Sequence, residues 1–488
     1  MRGDKWPMPL DAAYRRRTVA ANFLAISVAS GLTVLIGIFT AAYSRRVLGP
    51  EAIGQVNWNL ALLACLALLT SPGLQLIGQR DIAADKQRTA QLTSLVLSLQ
   101  FVLTLVTYAG IVIVALLNPR GADASALLIL QGLSLFVSAA GVTWVLQAHQ
   151  RMVAPSIASL VLNLLQIPAL VIFVKQPDDV YIFVLYTLPF SLALVVYNFW
   201  HLRRHGLLRL ANLRPRLAGS RSLFVQAWPI ALSQGAVLLI YNCGALILGF
   251  THSDAEVGFY TTAYRLMFMS TVVSGAMLSA YFPVLSQIRN DPHQAQRVVG
   301  EFTTLMAWMG LPIAALGWAI GRHVNDLLFG AQFVQSGPYF EWLCLAIGLV
   351  FVNIGLGTPL LAWGYQKLHF KITATAAVAS LALNLALIPT YGGWGAVAGI
   401  LTAEFLVLIM IVLARRQIDL GRQALLQPLV APLLCSLAVA LLIVALPPDA
   451  ARYWWLQLVL GGTTLVGCIF LFERRIVTAA LGLLRRAG

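Results

Sequence analysis

Charge is scarce in this chain, and acid is scarcer than base. Only 10% of the 488 residues are charged, 18 acids against 33 bases, whereas a soluble domain carries about 25%. Between the N-terminal tail and residue 200, the acids are Glu51, Asp81, Asp85, Asp123, Asp178 and Asp179, and all fall in breaks between apolar runs. A carboxylate-lined site for cationic drugs has no material there. No G-x-x-x-x-G-K-[ST] loop occurs, so nothing cradles the phosphates of ATP. The longest hydrophilic stretch is His201–Ser222, too short for the extramembrane domain of a glycosyltransferase or polymerase, and the scattered serines have no His partner. These absences point away from an enzyme. Cys65, Cys243, Cys344, Cys435 and Cys468 all sit in apolar runs, so no structural disulfide is expected. His201 and His205 are spaced for a metal, but no carboxylate or Cys lies near them, and no metal or other cofactor is expected.

Apolar sequence fills the space that charge leaves. Hydrophobic residues make up 59% of the chain and its mean hydropathy is +0.81. Runs of about 20 residues, long enough to cross the ~30 Å hydrocarbon core, recur throughout. Fourteen are read, near 18–42, 54–78, 90–117, 124–147, 153–174, 180–200, 223–249, 258–286, 300–321, 334–362, 368–389, 393–414, 426–446 and 453–472. The expected class is an all-α polytopic membrane protein. Met1–Arg17 precedes a full-length span rather than a short signal core, so no cleaved signal is expected.

The basic residues set an orientation. With the N-terminus inside, the outer loops hold six Lys/Arg (Arg45, Arg46, Arg120, Lys175, Arg322, Arg452), Arg265 lies within a span, and the other 26 are cytoplasmic. That bias follows the positive-inside rule and places both termini in the cytoplasm. The net charge of +15 is thereby a topology signal, and nucleic acid is not a partner it calls for.

The chain also repeats itself. SLVLNLLQIP (Ser159–Pro168) returns as SLALNLALIP (Ser380–Pro389), with seven of ten positions identical. RRVLGPEAIGQVNWNLALL (Arg45–Leu63) is echoed by LGFTHSDAEVGFYTTAYRL (Leu248–Leu266), and WVLQAHQRM (Trp144–Met152) by LLAWGYQKL (Leu360–Leu368). Two parallel six-helix units follow: an N-lobe over 1–200 and a C-lobe over 223–416, with an extra helix pair and tail over 417–488. Parallel repeats about an axis along the membrane normal belong to secondary transporters, whose lobes rock around a central site. The linker 201–222 interleaves six Arg with Leu and reads as a cytoplasmic amphipathic surface helix broken at Pro215. Asn163 and Asn384 stand just over a turn before Pro168 and Pro389. They serve either helix packing around the proline or direct contact with a substrate.

Intramembrane charge is expensive and marks function. Arg265 lies two turns inside span eight. Arg45 and Arg46 end span one, where snorkelling to headgroups competes with a functional role, and Arg80 ends span two, where the topology signal competes. Several Arg and few acids suit an anion, and the guanidinium fork matches phosphate. Glu404, mid-span twelve, is the deep acid. It is open to three readings: an arginine partner, a proton or sodium site, or polar packing.

RRVLGPEAIGQ after span one, GLQLIGQRDIA (Gly73–Ala83), WVLQAHQRM and DAEVGFYTTAYRL (Asp254–Leu266) together resemble the Wzx-type oligosaccharide flippases. These belong to the multidrug/oligosaccharidyl-lipid/polysaccharide exporter superfamily, and the match covers roughly residues 15–415. The resemblance implies a V-shaped fold in the inner membrane with a cationic cavity between the lobes. It implies a substrate of undecaprenyl diphosphate bearing an oligosaccharide repeat unit, supplied by glycosyltransferases and delivered to a polysaccharide polymerase. By position, Arg265, Arg46, Arg45 and Arg80 would hold the diphosphate. The extra helix pair is similar to that of the lipid II flippases, which makes peptidoglycan precursor the alternative substrate. A multidrug or cation antiporter and a non-transporting scaffold of polysaccharide synthesis are the remaining alternatives.

Overall fold

The computed structural model describes residues 12–117, 121–208, 213–288, 292–414, 422–445 and 454–472. Among these residues every regular element is helical. Nine helices precede the linker: α1 (Ala12–Thr70), α2 (Leu74–Ala84), α3 (Thr89–Leu116), α4 (Ala122–Gly132), α5 (Ser134–Ala139), α6 (Thr143–Ala148), α7 (Val153–Phe173), α8 (Val180–Leu185) and α9 (Thr187–Arg204). Eight follow it: α10 (Ser220–Thr251), α11 (Asp254–Gln287), α12 (Pro292–Phe329), α13 (Ser336–Ala362), α14 (Gln366–Tyr391), α15 (Gly393–Ala414), α16 (Arg422–Val444) and α17 (Trp454–Phe472). The absence of strands follows from the solvent, since a helix satisfies its own backbone polar groups in hydrocarbon.

Ten of the described stretches are long and apolar enough to cross a membrane. The expected fourteen spans are not reached by that measure. Gly31–Thr70 is a single stretch that includes the second half of the first expected span and most of the second, while Gln427–Ile443 and Leu456–Leu465 fall short of full span length. α1 is two arms joined at Gly49, whose φ of 79° breaks the helix, and Pro50 restarts it. Glycine takes the left-handed turn without a Cβ clash, and proline has the φ and missing N–H of a first helical position. The linker departs from its expected form. Gly206 and Gly219 have positive φ, Pro215 lies between them, and the described residues 205–208 and 213–219 are not helical. Residues 209–212, both chain ends and the loop around Arg416 lie outside the described residues, so the expected location of the termini does too.

Packing is strongest in the second half. α13 is the central helix, with 83% of its span buried, against 6% for α7. Lipid is as apolar as leucine, so helices associate through close van der Waals fit at small residues. On α12, Gly310 receives the Phe351 ring of α13 and Gly317 receives Cys344, while Gly348 of α13 meets Ala314. Phe302, Met306, Leu343 and Phe351 are almost wholly buried in the core this creates. A second cluster holds α2, α3 and α6 together around Leu74, Ile77 and Trp144, and includes Leu223 and Ala227 of α10. α1 bridges the halves by packing on both α10 and α11.

Candidate functional site

The kink at Gly49 folds the two arms of α1 into a hairpin, and side chains from both arms line one cavity. It has a volume of about 460 Å³, within the ~300–1,000 Å³ range of small-molecule sites. Ser44 and Arg45 come from the first arm and Asn57 from the second. Gln131 of α4 and Asn163 and Gln166 of α7 supply amides, and Arg265 of α11 supplies a second cation. Among the described residues, no Asp or Glu lines it.

The two arginines are held differently. Arg45 is 5% exposed. Its Nε donates to Thr262 Oγ1 of α11 at 2.9 Å, an Nη donates to the Ala41 carbonyl at 3.3 Å, and the guanidinium lies 5.3 Å from the centroid of the Phe329 ring. Arg265 is exposed, and no hydrogen bond or ion pair holds it among the described residues. The two charges repel with no acid between them, which favours an anion in the space they share.

The other expected site residues are scattered. Arg46 does not line this cavity. Its Nε and Nη2 donate to the carbonyls of Leu328 and Leu327, at 2.9 and 2.5 Å, at the C-terminal end of α12. Those carbonyls lack partners within their own helix and favour a cation, which explains the capture. Arg80 does not line the cavity either; near the C-terminal end of α2 it pairs with Asp81 at 2.8 Å and donates to Gln226 of α10 at 3.2 Å. At that same end the Thr89 hydroxyl meets His149 at 3.1 Å. Burial, and after it the charges of Lys86 and Arg151, lowers the His149 pKa.

Glu404 of α15 is 5% exposed and also lies off the cavity wall. Tyr241 donates to one carboxyl oxygen at 2.7 Å and Asn353 to the other at 2.8 Å. Asn163 and Asn384, twins in the sequence repeat, have parted company. Asn163 lines the cavity, whereas Asn384 is fully buried and donates to Cys243 Sγ at 3.0 Å, tying α14 to α10. Gln131, Gln166, Asn57 and Thr262 were not singled out from the sequence. An amide inside an apolar run is the signal that marks Gln131 and Gln166, while Thr262 shows nothing until Arg45 is seen beside it.

A kinked, multi-pass helical fold around a polar cavity is a transporter's construction rather than an enzyme's. Solved structures share it. The chain superposes on the lipid II flippase MurJ in an inward closed conformation with a TM-score of 0.75, at 12% identity, covering 92% of this chain and 99% of that one. An inward-facing multidrug resistance MATE transporter of the MOP superfamily gives 0.57 at 16% identity, over 80% and 94% of the two chains. The protein belongs to the family described as polysaccharide biosynthesis protein, whose model matches residues 19–289. Among its relatives, a Shigella dysenteriae protein named "Putative O-antigen transporter" is 23% identical over 80% of this chain and 99% of its own. The capsular polysaccharide biosynthesis protein CapF of Staphylococcus aureus is 22% identical over 80% and 97%.

Proposed function

We propose that the protein is a flippase that carries an undecaprenyl-diphosphate-linked oligosaccharide from the inner to the outer leaflet of the cytoplasmic membrane. The observation that carries this reading is the acid-free cavity holding Arg45 and Arg265. A diphosphate and its glycan cannot cross hydrocarbon bare, because burying an unpaired charge is prohibitive. Two guanidinium groups stabilise the diphosphate, the amides take the sugar, and the polyprenyl chain stays in lipid. The loop at Gly49 faces outward in this reading and the linker faces the cytoplasm. The family and the names of the relatives support polysaccharide as the cargo class. The test is transport by the purified protein in proteoliposomes. A polyprenyl-diphosphate oligosaccharide should change leaflets at a rate well above protein-free vesicles, and lipid II should compete weakly. Equal movement in empty vesicles would sink the proposal, and preferential movement of lipid II would transfer the substrate to peptidoglycan precursor, the reading the extra pair α16 and α17 favours.

Topology is checked by labelling. Asp178→Cys, at an exposed site between α7 and α8, should react with an impermeant maleimide added outside intact cells. Arg88→Cys, exposed at the start of α3, should react only after permeabilisation. The reverse pattern would invert the orientation assumed for transport.

Glu404 is the acid we assign to coupling with a proton gradient. Two neutral donors, Tyr241 and Asn353, hold its carboxyl group, and among the described residues no cation bonds to it. The ring of Tyr241 lies 6.4 Å, centroid to centroid, from that of Tyr264 on α11, the helix that carries the cavity residue Arg265. Glu404→Gln should slow flipping and flatten its dependence on pH in proteoliposomes. A variant with wild-type rate and wild-type pH response would leave Glu404 with packing alone.

A further inference from the structure

Where the two arms of α1 meet, the chain makes a contact that has a second copy. The second arm begins at Pro50, and Gly54 stands four residues on; α11 begins at Asp254, and Gly258 stands four residues on. A Cβ placed on Gly54 would overlap the Asp254 carbonyl, and one placed on Gly258 would overlap the Pro50 carbonyl. Each helix thus presses the carbonyl of its first residue against the glycine of the other. So close a backbone approach admits no side chain at either position and brings glycine Cα–H groups against carbonyl oxygens.

Cross-links between α1 and its neighbours flank this crossing. Gln55 donates to Asp254 Oδ2 at 3.1 Å, Asn57 donates to Thr261 Oγ1 at 2.9 Å, and Trp58 Nε1 donates to the Leu246 carbonyl at 3.2 Å. The Trp58 ring also lies on Gly249 of α10. Just before the kink, Arg46 reaches across to the last carbonyls of α12. These bonds join α1 to α10, α11 and α12, and none of them is an ion pair. Asn57 and Arg45 lie directly on the cavity side of this crossing, since both line the cavity.

We propose that this reciprocal glycine crossing is the seam that seals the cavity at the Gly49 end, that it parts and re-forms once in each transport cycle, and that Arg46 is its latch. The inference rests on the reading of the protein as a flippase that works by alternating access. It reassigns Arg46 from substrate binding to gating. When the seam parts, Arg46 leaves the α12 carbonyls, and water takes its place there. A side chain at Gly54 or Gly258 prevents the seam from closing, so it damages the cycle without touching the cation pair in the cavity.

Two measurements on the full-length protein test this, in a background with the native cysteines replaced. The first joins Gln55→Cys to Asp254→Cys with a short reducible bis-thiosulfonate. Flipping should fall at least tenfold relative to the same protein after reduction. Unchanged flipping in a sample that is fully cross-linked would overturn the seam. The second follows Asn57→Cys with an impermeant maleimide from the Gly49 side. Gly54→Leu should raise its labelling rate at least tenfold and Arg46→Gln about threefold, with Gly54→Ala as the milder replacement should the leucine variant fold poorly. Labelling that none of these changes would also overturn it. This labelling needs no substrate. If the substrate assignment is wrong, every sample will fail to flip the polyprenyl diphosphate while the labelling contrast persists, and that outcome upholds the seam and removes the flippase reading alone.

Discussion

Arg265→Ala should abolish flipping while the protein still accumulates in the membrane at wild-type level. The fold tolerates the change because nothing in the described structure depends on the guanidinium: it is exposed, with no hydrogen bond or ion pair among the described residues. Placing an arginine in a span costs about 2.5–3.5 kcal/mol on insertion scales, so alanine eases insertion. Transport should suffer instead. Charge-assisted hydrogen bonds contribute roughly 1.5–3 kcal/mol each, and loss of two is worth about 3 kcal/mol or more, a rate change on the order of 10²-fold. Arg265→Lys should recover part of the rate, since it keeps the charge and loses the planar fork. The measurement is the initial rate in proteoliposomes at matched protein content. Undiminished flipping by well-folded Arg265→Ala protein would move the anion site away from this cavity.

Much of this is legible in the sequence, because the bilayer imposes strong rules. Hydropathy alone requires helices. The acid-poor first half argues against a carboxylate-lined site, and the described residues that line the cavity are polar amides, hydroxyls and two arginines among apolar side chains. What sequence could not resolve was direction and distance across the fold. Asn163 and Asn384 sit in matching decapeptides, yet one faces the cavity and the other locks α14 onto α10. The local sequence is shared, but the neighbours are not: Gly399 of α15 packs against the Asn384 amide, while α7 is almost unburied. The linker misled for a related reason. Alternating Arg and Leu suggests an amphipathic helix, but Gly206 and Gly219 with positive φ, and Pro215 between them, favour chain reversal. The resemblance places Arg80 with the diphosphate, whereas its position at the end of span two also fits the topology signal, and Asp81 beside it and Gln226 across from it hold it at an exposed position.

The adjacent arginines Arg45 and Arg46 give the sharpest contrast, since no sequence pattern separates them. Successive residues of a helix point about 100° apart, so one turns into the cavity while the other turns toward α12. Arg45 should not tolerate lysine. Its Nε bond to Thr262 and its stacking on Phe329 both use the flat guanidinium, and an ammonium reproduces neither. Arg45→Lys keeps the charge, so a loss of transport in that variant reports geometry rather than net charge. The expected fall in flipping is about 10- to 100-fold, from the loss of one or two charge-assisted contacts. Arg46→Lys should behave differently. A single ammonium can still cap the carbonyls of Leu327 and Leu328, and a cation at a helix C-terminus contributes only about 0.3–1 kcal/mol, so flipping should change by less than about fivefold. Initial rates of the two variants, measured side by side with folding checked by thermal melting, decide between the roles. If Arg45→Lys flips normally and Arg46→Lys does not, the substrate-facing and gate-facing arginines have been exchanged, and the diphosphate must be sought on the α12 side of α1.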